Sequence, residues 1–312
     1  MDDRNELLIR VAELYYEENL NQNEIANMLG TSRPTVSRLL DEAKETGIVE
    51  IIVHSPILKD AQLAYSLRKK LGLRDAVVVS GQYSYEKAIR RCCEAALQYF
   101  YAIMENNTSI GISWGTVPHQ LCELLENREY YNVNVVQMVG CLGTGNPKID
   151  GLELALKMSR KLGGTYSNIY APVYVENKLV HDYLMNEPQI AATIKNAMHT
   201  DIILTGVGSF DAGTSIQLSG NLNDKDRLEL IEQGAVGHLL ARPYDKDGKE
   251  IIQRGRYTIS APLDAMKSPQ WTIGISAAAF KAEAVLAAVR GGYLNTLIVD
   301  KVIAERLLEL AE

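Results

Sequence analysis

The sequence contains no run of 18 apolar residues, the least that a transmembrane helix requires, so we expect no membrane span. The amino terminus is acidic and lacks the apolar core of a signal peptide, which favours a cytoplasmic location. Internal repeats and low-complexity tracts are also missing. These absences leave an ordinary globular protein, which we expect to work on partners in the cytoplasm.

Cysteine is scarce, and no two of the residues have C-x-x-C spacing. That spacing is typical of zinc sites and dithiol redox motifs, so its absence argues against both. We expect reduced thiols, no metal and no cofactor. The four cysteines are Cys92, Cys93, Cys122 and Cys141.

A chain of 312 residues can hold a small module and one large α/β domain. The segment HSPIL at residues 54–58 marks the boundary, because Pro56 ends a β-rich run. We therefore expect a first domain over residues 1–55 and a second over residues 56–312.

Residues 21–46 show the most informative pattern, a helix, a tight turn and a second helix. Asn21 and Glu24 form a capping-box pair before an apolar run, and Gly30 ends this first helix. The next helix opens with hydroxyl and arginine side chains, which suit phosphates and base edges in a major groove. This is the pattern of a helix-turn-helix DNA-binding module. Its candidate DNA contacts are Thr31, Ser32, Arg33, Thr35, Ser37 and Arg38.

Two flanking segments complete this module. Residues 3–18 carry an apolar stripe and predict an earlier helix, which gives a three-helix core. Residues 48–53 are β-rich and predict a wing strand. A helical hairpin without a ligand is the alternative interpretation, because amphipathic helix pairs are common.

Positive charge is lacking where a DNA-binding module needs it. Residues 1–56 hold 5 basic and 11 acidic groups, a net charge of 5 − 11 = −6, against −7 for the whole chain. Phosphate neutralisation supplies much of DNA affinity, so one copy should bind weakly. We expect two or more copies on one site, with half-sites about 34 Å apart or multiples of that.

Beyond the boundary, short β-branched runs alternate with amphipathic helices. This alternation predicts an α/β domain with a Rossmann-like, mostly parallel sheet covered on both faces. The predicted helices cover residues 60–71 and 85–105 and a segment starting near 116. The predicted strands are 76–81, 109–113, 133–140, 201–208, 271–277 and 296–300.

The ends of four predicted strands are rich in small or hydroxyl residues. In open α/β sheets ligands bind outside the carboxyl ends of the strands. Small residues let backbone N–H groups approach an anion, and a following helix favours negative charge. We therefore expect a phosphorylated or carboxylated ligand. The four segments are 113–116, 140–145, 206–209 and 276–279.

Together these motifs resemble the SorC/DeoR-type sugar-responsive bacterial transcription regulators over nearly the whole chain. The matching segments are residues 15–26, 32–40, 111–116, 234–237, 244–248 and 290–300. The resemblance implies a winged helix-turn-helix module and an effector domain similar in fold to sugar-phosphate isomerases and CoA transferases. It also implies a double-stranded DNA operator, a phosphorylated sugar or polyol as effector, and a dimer or tetramer.

The resemblance further implies roles for individual residues. A phosphate loop would be formed by Ser113, Gly115 and Thr116. The ends of the neighbouring strands would contribute Gly140, Cys141, Gly206, Gly208 and Ser209. Sugar hydroxyls would be bound by Asp245, with His238 nearby, and Lys281 would meet a phosphate or acidic group.

Three sites depart from the pattern of many family members. Cys141 and His238 replace a glycine and an aspartate, and Ser276-Ala277-Ala278 replaces the usual A-G-G. The added Cβ atoms should narrow the pocket or shift the backbone. A ligand that differs from the common sugar phosphates is one consequence, and a degenerate pocket without an effector is the alternative.

We therefore predict a transcriptional regulator of a carbohydrate-utilisation operon, not an enzyme. The alternative is an isomerase or deaminase acting on a sugar phosphate, which would need a positioned base. Only Asp245 and His238 are candidates for that base, and no acid/base pair at a telling spacing is present. We predict no catalytic residues.

Overall fold

The computed structural model describes residues 3–49, 56–143, 151–210, 222–253 and 255–311. The chain divides into two compact units, Met1–Pro56 and Ile57–Glu312. Within the described ranges, no helix combines the length and the apolarity that crossing a bilayer requires.

The described residues of the first unit form three helices and one π turn. They are α1 (Asp3–Ala12), the π turn Glu13–Glu17, α2 (Gln22–Met28) and α3 (Arg33–Glu45). The capping box predicted at Asn21 and Glu24 is confirmed, and Ser32 caps α3. The predicted helix over residues 3–18 is present but changes to π geometry at Glu13. A π turn contains more residues per turn than an α-helix, yet Leu14 within it is still buried in the core. The apolar stripe therefore gave no sign of the change.

The predicted wing strand lies largely outside the described residues, which end at residue 49 in this unit and resume at 56. Ile48 and Val49 pack, partly buried, against the three-helix core. That core is formed by the inward faces of the helices, with Leu8, Ile25 and Leu39 among its members.

The second unit alternates strands and helices, as predicted. Its strands are β1 (Asp75–Val79), β2 (Ser109–Ile112), β3 (Asn134–Gln137), β4 (Thr165–Ser167), β5 (Tyr174–Val175), β6 (Ile202–Gly206), β7 (Gly208–Ser209), β8 (Gly237–Leu239), β9 (Arg242–Tyr244), β10 (Tyr257–Thr258), β11 (Trp271–Ser276) and β12 (Thr296–Asp300). Its α-helices are α4 (Ala61–Leu71), α5 (Tyr85–Ile103), α6 (Thr116–Leu124), α7 (Gly151–Lys161), α8 (Lys178–Asn186), α9 (Pro188–Ala197), α10 (Asp224–Glu232), α11 (Ala282–Arg290) and α12 (Lys301–Leu310).

The main sheet has seven strands in the order β1-β12-β11-β6-β2-β3-β4, and every neighbouring pair is parallel. The predicted mostly parallel α/β fold is therefore confirmed, with all six predicted strands present. The sequence did not predict the edge strand β4 or the small sheets β5-β10 and β7-β8-β9. These strands are only two or three residues long, too short to show a period of two.

Both faces of the main sheet are covered. Residues alternate between the faces, so Ile203 joins one core cluster while Ile202 and Leu204 join the other. Leu67 of α4 and Leu307 of α12 belong to the first cluster. The second cluster contains buried side chains of α5, α6 and α7. Burial on both faces explains the near-continuous apolar runs of the central strands.

Three central strands matter most for the site. β11, β6 and β2 are direct neighbours in the sheet and run in parallel. Their carboxyl ends consequently meet at one edge, although their sequences are far apart. The segments that follow these three strands are therefore brought side by side.

Candidate ligand cleft and DNA-recognition helix

The start of α3 exposes the side chains predicted to contact DNA. Thr31, Ser32, Arg33 and Arg38 are exposed, and Thr35 and Ser37 are half-buried. The hydroxyls of Ser32 and Thr35 lie 2.9 Å apart, which fixes the first turn of the helix. The opposite face buries Val36, Leu39 and Leu40.

This segment is basic although its unit is acidic. Residues 31–40 contain two arginines and no acidic residue, whereas Asp41 and Glu42 follow directly. Glu42 is paired with Arg4 of α1, whose Nε donates to its carboxylate over 3.0 Å. Glu42 is thereby neutralised, and residues 31–40 themselves carry only basic charge.

A cleft opens at the carboxyl ends of β2, β6 and β11. It encloses about 660 Å³ of non-protein space, its open mouth included. Ser113–Val117, Thr205–Gly208 and Ile275–Ser276 line it from the sheet, and Leu239–Ala241 line it from the β8–β9 hairpin. The cleft lies where an open α/β sheet presents its ligand site.

The segment after β2 has the geometry of an anion-binding loop. Gly115 caps α6 with φ 118°, a conformation that a residue with a Cβ rarely adopts. The helix begins at Thr116, so its first N–H groups and its positive dipole end lie at the cleft. Ser113 is joined to the next strand through Thr205, whose hydroxyl lies 3.3 Å from its own.

Lys281 is the one charged side chain among the described residues that line the cleft. It is buried, and its ammonium donates to the carbonyl oxygen of Val207 over 3.2 Å. A short 3-10 turn, Ala279–Lys281, carries it past the end of β11. The described part of the cleft therefore has positive charge at its wall, which suits an anionic ligand.

His238 lies on β8 directly across from Gly208 of β7. A Cβ at Gly208 would lie 2.0 Å from the imidazole Nε2, so the ring fits only because position 208 is glycine. Burial, aided by the charge of Lys281, lowers the pKa of His238 to about 3. The imidazole is therefore neutral at physiological pH, and its buried Nε2 has no hydrogen-bond partner among the described residues.

Four predicted ligand residues do not line this cleft, and two of them follow β3. A Cβ at Gly140 would lie 2.8 Å from the carbonyl oxygens of Ala171 and Pro172, so glycine is needed for packing there. Cys141 is half-buried, and its thiol lies 3.4 Å from the carbonyl oxygen of Ile169. Both residues contact the adjoining segment 169–173 and not the cleft.

The other two are Ser209 and Asp245. The Ser209 hydroxyl is buried and has no hydrogen-bond partner in the described part of the chain, but it is not in the cleft lining. Asp245 orders a turn, because its Oδ1 accepts hydrogen bonds from the backbone N–H groups of Asp247 and Lys249. Of the two bases considered for an enzyme, only His238 therefore lines the cleft.

The structure also adds lining residues that the sequence did not single out as ligand contacts, among them Tyr85, Thr205, Leu240 and Ala241. Leu240 and Ala241 form the two-residue β8–β9 turn with φ 50° and 61°. Such turns favour Asn-Gly, and a Leu-Ala turn gives no sequence signal. Tyr174 stabilises this turn, because its hydroxyl donates a hydrogen bond to the Ala241 carbonyl over 2.9 Å.

Ala278 shows how the chain accommodates its departure from A-G-G. It keeps a positive φ of 72° with ψ 142°, a conformation that favours glycine. Its N–H donates to both carboxylate oxygens of Asp300, at 3.2 and 3.3 Å, which holds the strained residue in place. The backbone therefore keeps a glycine-like course beside the cleft in spite of the added Cβ.

Comparison with known families gives two matches that together cover almost the whole chain. Residues 55–309 match the family model described as a putative sugar-binding domain. Residues 6–62 match the Crp-like helix-turn-helix domain.

Similar proteins align over nearly their full length. The deoxyribonucleoside regulator of Bacillus subtilis (strain 168) is 27% identical over 308 residues, covering 98% of each protein. An uncharacterized transcriptional regulator of Escherichia coli (strain K12), YjhU, is 28% identical over 303 residues, covering 95% of this chain and 92% of the relative. The crystal structure of the full-length sorbitol operon regulator SorC from Klebsiella pneumoniae superposes with a TM-score of 0.73 at 26% identity. It covers 99% of this chain and 100% of that one.

Proposed function

This chain belongs to the family of the putative sugar-binding domain, and we propose that it regulates a carbohydrate-utilisation operon in response to a phosphorylated sugar or polyol. It is a transcriptional regulator with a helix-turn-helix unit, like the relatives it matches, and not an enzyme. The effector would bind in the cleft of the second unit and shift the operator affinity of the first.

One observation carries the ligand class. The cleft combines the amino terminus of α6, the Ser113–Thr116 loop and the Lys281 ammonium, and the described lining has no carboxylate. An anion gains hydrogen bonds and charge compensation there, whereas a neutral sugar gains fewer. The phosphate is therefore the part of the effector that these groups would bind.

The DNA-binding half of the proposal depends on the exposed start of α3. Arg33 and Arg38 are exposed on a segment without acidic residues, and the Ser32 and Thr35 hydroxyls lie close enough to each other for one phosphate to contact both. Because the unit carries a net charge of −6, affinity would come from two or more copies on one operator. We therefore propose a homodimer or homotetramer as the working form.

A thermal-shift experiment on the full chain tests the effector class. Sugar and polyol phosphates would be compared with their unphosphorylated parents, and a ligand at 100 times its Kd should add about 2.7 kcal/mol of stability. Lys281→Met should weaken the response. Lys267→Met is the matched control, because Lys267 pairs with Asp264 away from the cleft lining. If a sugar or polyol phosphate stabilises the wild type and Lys281→Met equally, the proposed phosphate site is contradicted.

The operator is tested by selection from random DNA duplexes, followed by gel shift. The effector found by thermal shift should change the operator affinity, with a coupling of about 1–3 kcal/mol. An effector that binds the protein but leaves operator affinity unchanged would contradict the proposed regulation.

A further inference from the structure

Three described residues that are neither glycine nor asparagine have a positive φ, and all three border the cleft. Leu240 and Ala241 line it with φ 50° and 61°, and Ala278, with φ 72°, follows Ser276 of the lining by two residues. Apolar residues rarely adopt this conformation, because their Cβ crowds the backbone. Strained backbone collects at functional sites and persists only where neighbouring groups hold it in place.

Each of the two strained segments is held by a polar side chain from a distant part of the sequence. The carboxylate of Asp300 accepts the N–H of Ala278. The hydroxyl of Tyr174 donates to the carbonyl oxygen of Ala241 over 2.9 Å. The turn itself is buried, with Leu240 only 3% and Ala241 only 2% exposed. A change in its backbone therefore changes the wall of the cleft.

The side chain of Tyr174 is fixed on its other sides. Its strand β5 pairs with β10, where Tyr174 lies opposite Thr258. The guanidinium of Arg256 lies over the ring, 4.3 Å from its centroid, and pairs with Asp226 of α10 at 3.3 Å. Tyr174 is half-buried and is not in the described lining of the cleft. Its route to a ligand in the cleft therefore runs through the turn.

We propose that Tyr174 is a positioning residue for the effector, because its hydroxyl holds the Leu240-Ala241 turn in the conformation that binds the ligand. The inference rests on the proposed function, since it concerns the shape of the cleft in which the effector would bind. Without this hydrogen bond both residues can relax towards negative φ, which moves them from their places in the lining. A protein whose binding-competent conformation is less populated binds its ligand more weakly in proportion.

Tyr174→Phe removes the hydroxyl and keeps the ring, so it tests the hydrogen bond alone. The matched control is Tyr99→Phe. Tyr99 is also half-buried, and its hydroxyl donates to Asp75 over 3.0 Å at the amino end of β1, away from the cleft. Each variant loses one hydrogen bond, so both should melt at a lower temperature than wild type. A merely structural role of Tyr174 would lower the melting temperature and change nothing else.

Ligand binding to the full chain separates positioning from stability. The probes are ribose 5-phosphate, 2-deoxyribose 5-phosphate, sorbitol 6-phosphate and inorganic phosphate. For the sugar phosphate that binds wild type best, Tyr174→Phe should raise the Kd about threefold to tenfold, and Tyr99→Phe should leave it unchanged. Inorganic phosphate, which the Ser113–Thr116 loop and Lys281 would hold, should bind wild type and Tyr174→Phe alike.

A second substitution tests the route through the turn. Ala241→Gly removes the Cβ that disfavours φ 61°, so the turn should depend less on Tyr174. In the Ala241→Gly background, Tyr174→Phe should therefore raise the Kd by a smaller factor than it does in wild type. Equal factors in the two backgrounds would mean that Tyr174 does not act through the strain of this turn, which would overturn the inference.

Amide hydrogen exchange of the ligand-free protein examines the turn directly. Exchange in residues 239–242 should be faster in Tyr174→Phe than in wild type, because the turn opens more often once its hydrogen bond is lost. The same residues should exchange at the wild-type rate in Tyr99→Phe. Exchange that is no faster in Tyr174→Phe than in wild type would overturn the inference whatever the ligand measurements give.

The outcomes for the ligand and for the turn are distinct. An unchanged Kd in Tyr174→Phe, for a sugar phosphate that binds wild type, would overturn the positioning role even if the melting temperature falls. If no sugar phosphate binds wild type, the proposed effector class fails, and hydrogen exchange alone decides the role of Tyr174. Faster exchange at residues 239–242 in Tyr174→Phe, with none in Tyr99→Phe, then supports it.

Discussion

The close approach of His238 to Gly208 predicts a strong energetic coupling between the two positions. A Cβ on residue 208 would lie 2.0 and 2.1 Å from the imidazole Nε2 and Cε1. Carbon atoms in contact normally lie about 3.5–4.0 Å apart, so Gly208→Ala must displace the ring by more than an ångström. The Phe210 ring, 5.6 Å away, limits where it can go. Overpacking of this kind costs about 1–3 kcal/mol.

The same substitution should be nearly free of cost when the ring is absent. The three heavy atoms nearest to the added Cβ all belong to His238, and Gly208 has no positive φ that would strain an alanine. In the His238→Ala background the steric penalty should therefore vanish. The double-mutant cycle should give a favourable coupling of about 1–3 kcal/mol between the two alanines.

Urea unfolding followed by tryptophan fluorescence is the appropriate assay. Both tryptophans, Trp114 and Trp271, lie in the unit Ile57–Glu312, so the signal reports the unit that holds the cleft. The four proteins of the cycle would be compared at one pH above 7, where His238 is neutral in both states. If the stability losses of the two single variants add up to the loss of the double variant within about 0.5 kcal/mol, the predicted contact is refuted.

Three further predictions follow from the structure. The pKa of His238 is about 3 in the folded chain against 6.5 in the unfolded chain, so between these pH values only the unfolded chain takes up the proton. The free energy of unfolding should therefore fall by about 1.4 kcal/mol per pH unit from 6.5 down towards 3. In denaturant titrations, His238→Leu should remove this contribution of His238 to the pH dependence. Ala278→Gly should raise the free energy of unfolding by about 1 kcal/mol, because φ 72° strains alanine; a lower stability would argue against that strain. Arg33→Ala and Arg38→Ala should each weaken operator binding by about 1–3 kcal/mol in gel shifts, and unchanged binding in both would rule out α3 as the recognition helix.

Much of the fold follows from local patterns. The capping box at Asn21, the turn at Gly30 and the six predicted strands of the main sheet are set by short-range chemistry, which a single sequence displays directly. The π turn at Glu13–Glu17 and the short strands of the β7-β8-β9 sheet left no such pattern. They were therefore missed.

The site was predicted in part. The Ser113–Thr116 loop, Gly206, Gly208, His238 and Lys281 all line the cleft, as the motifs led us to expect. Gly140 was expected from its place at a strand end and Asp245 from the family resemblance. Gly140 instead packs against backbone carbonyl oxygens, and Asp245 accepts hydrogen bonds from backbone N–H groups of its own turn. A glycine kept for packing and a glycine kept for a ligand look alike in sequence, because only the atoms opposite them differ.

The sequence by itself determined the class of each unit, the Ser113–Thr116 loop after β2 and the acidic charge around the helix-turn-helix. Only the tertiary structure decided which strand ends meet, since the order β11-β6-β2 is set by long-range pairing. It also decided that His238 is buried against Gly208, 30 residues earlier in the chain, and that its imidazole is neutral beside Lys281. Burial and the distance between charges set both properties, and neither is encoded in the spacing of residues along the chain.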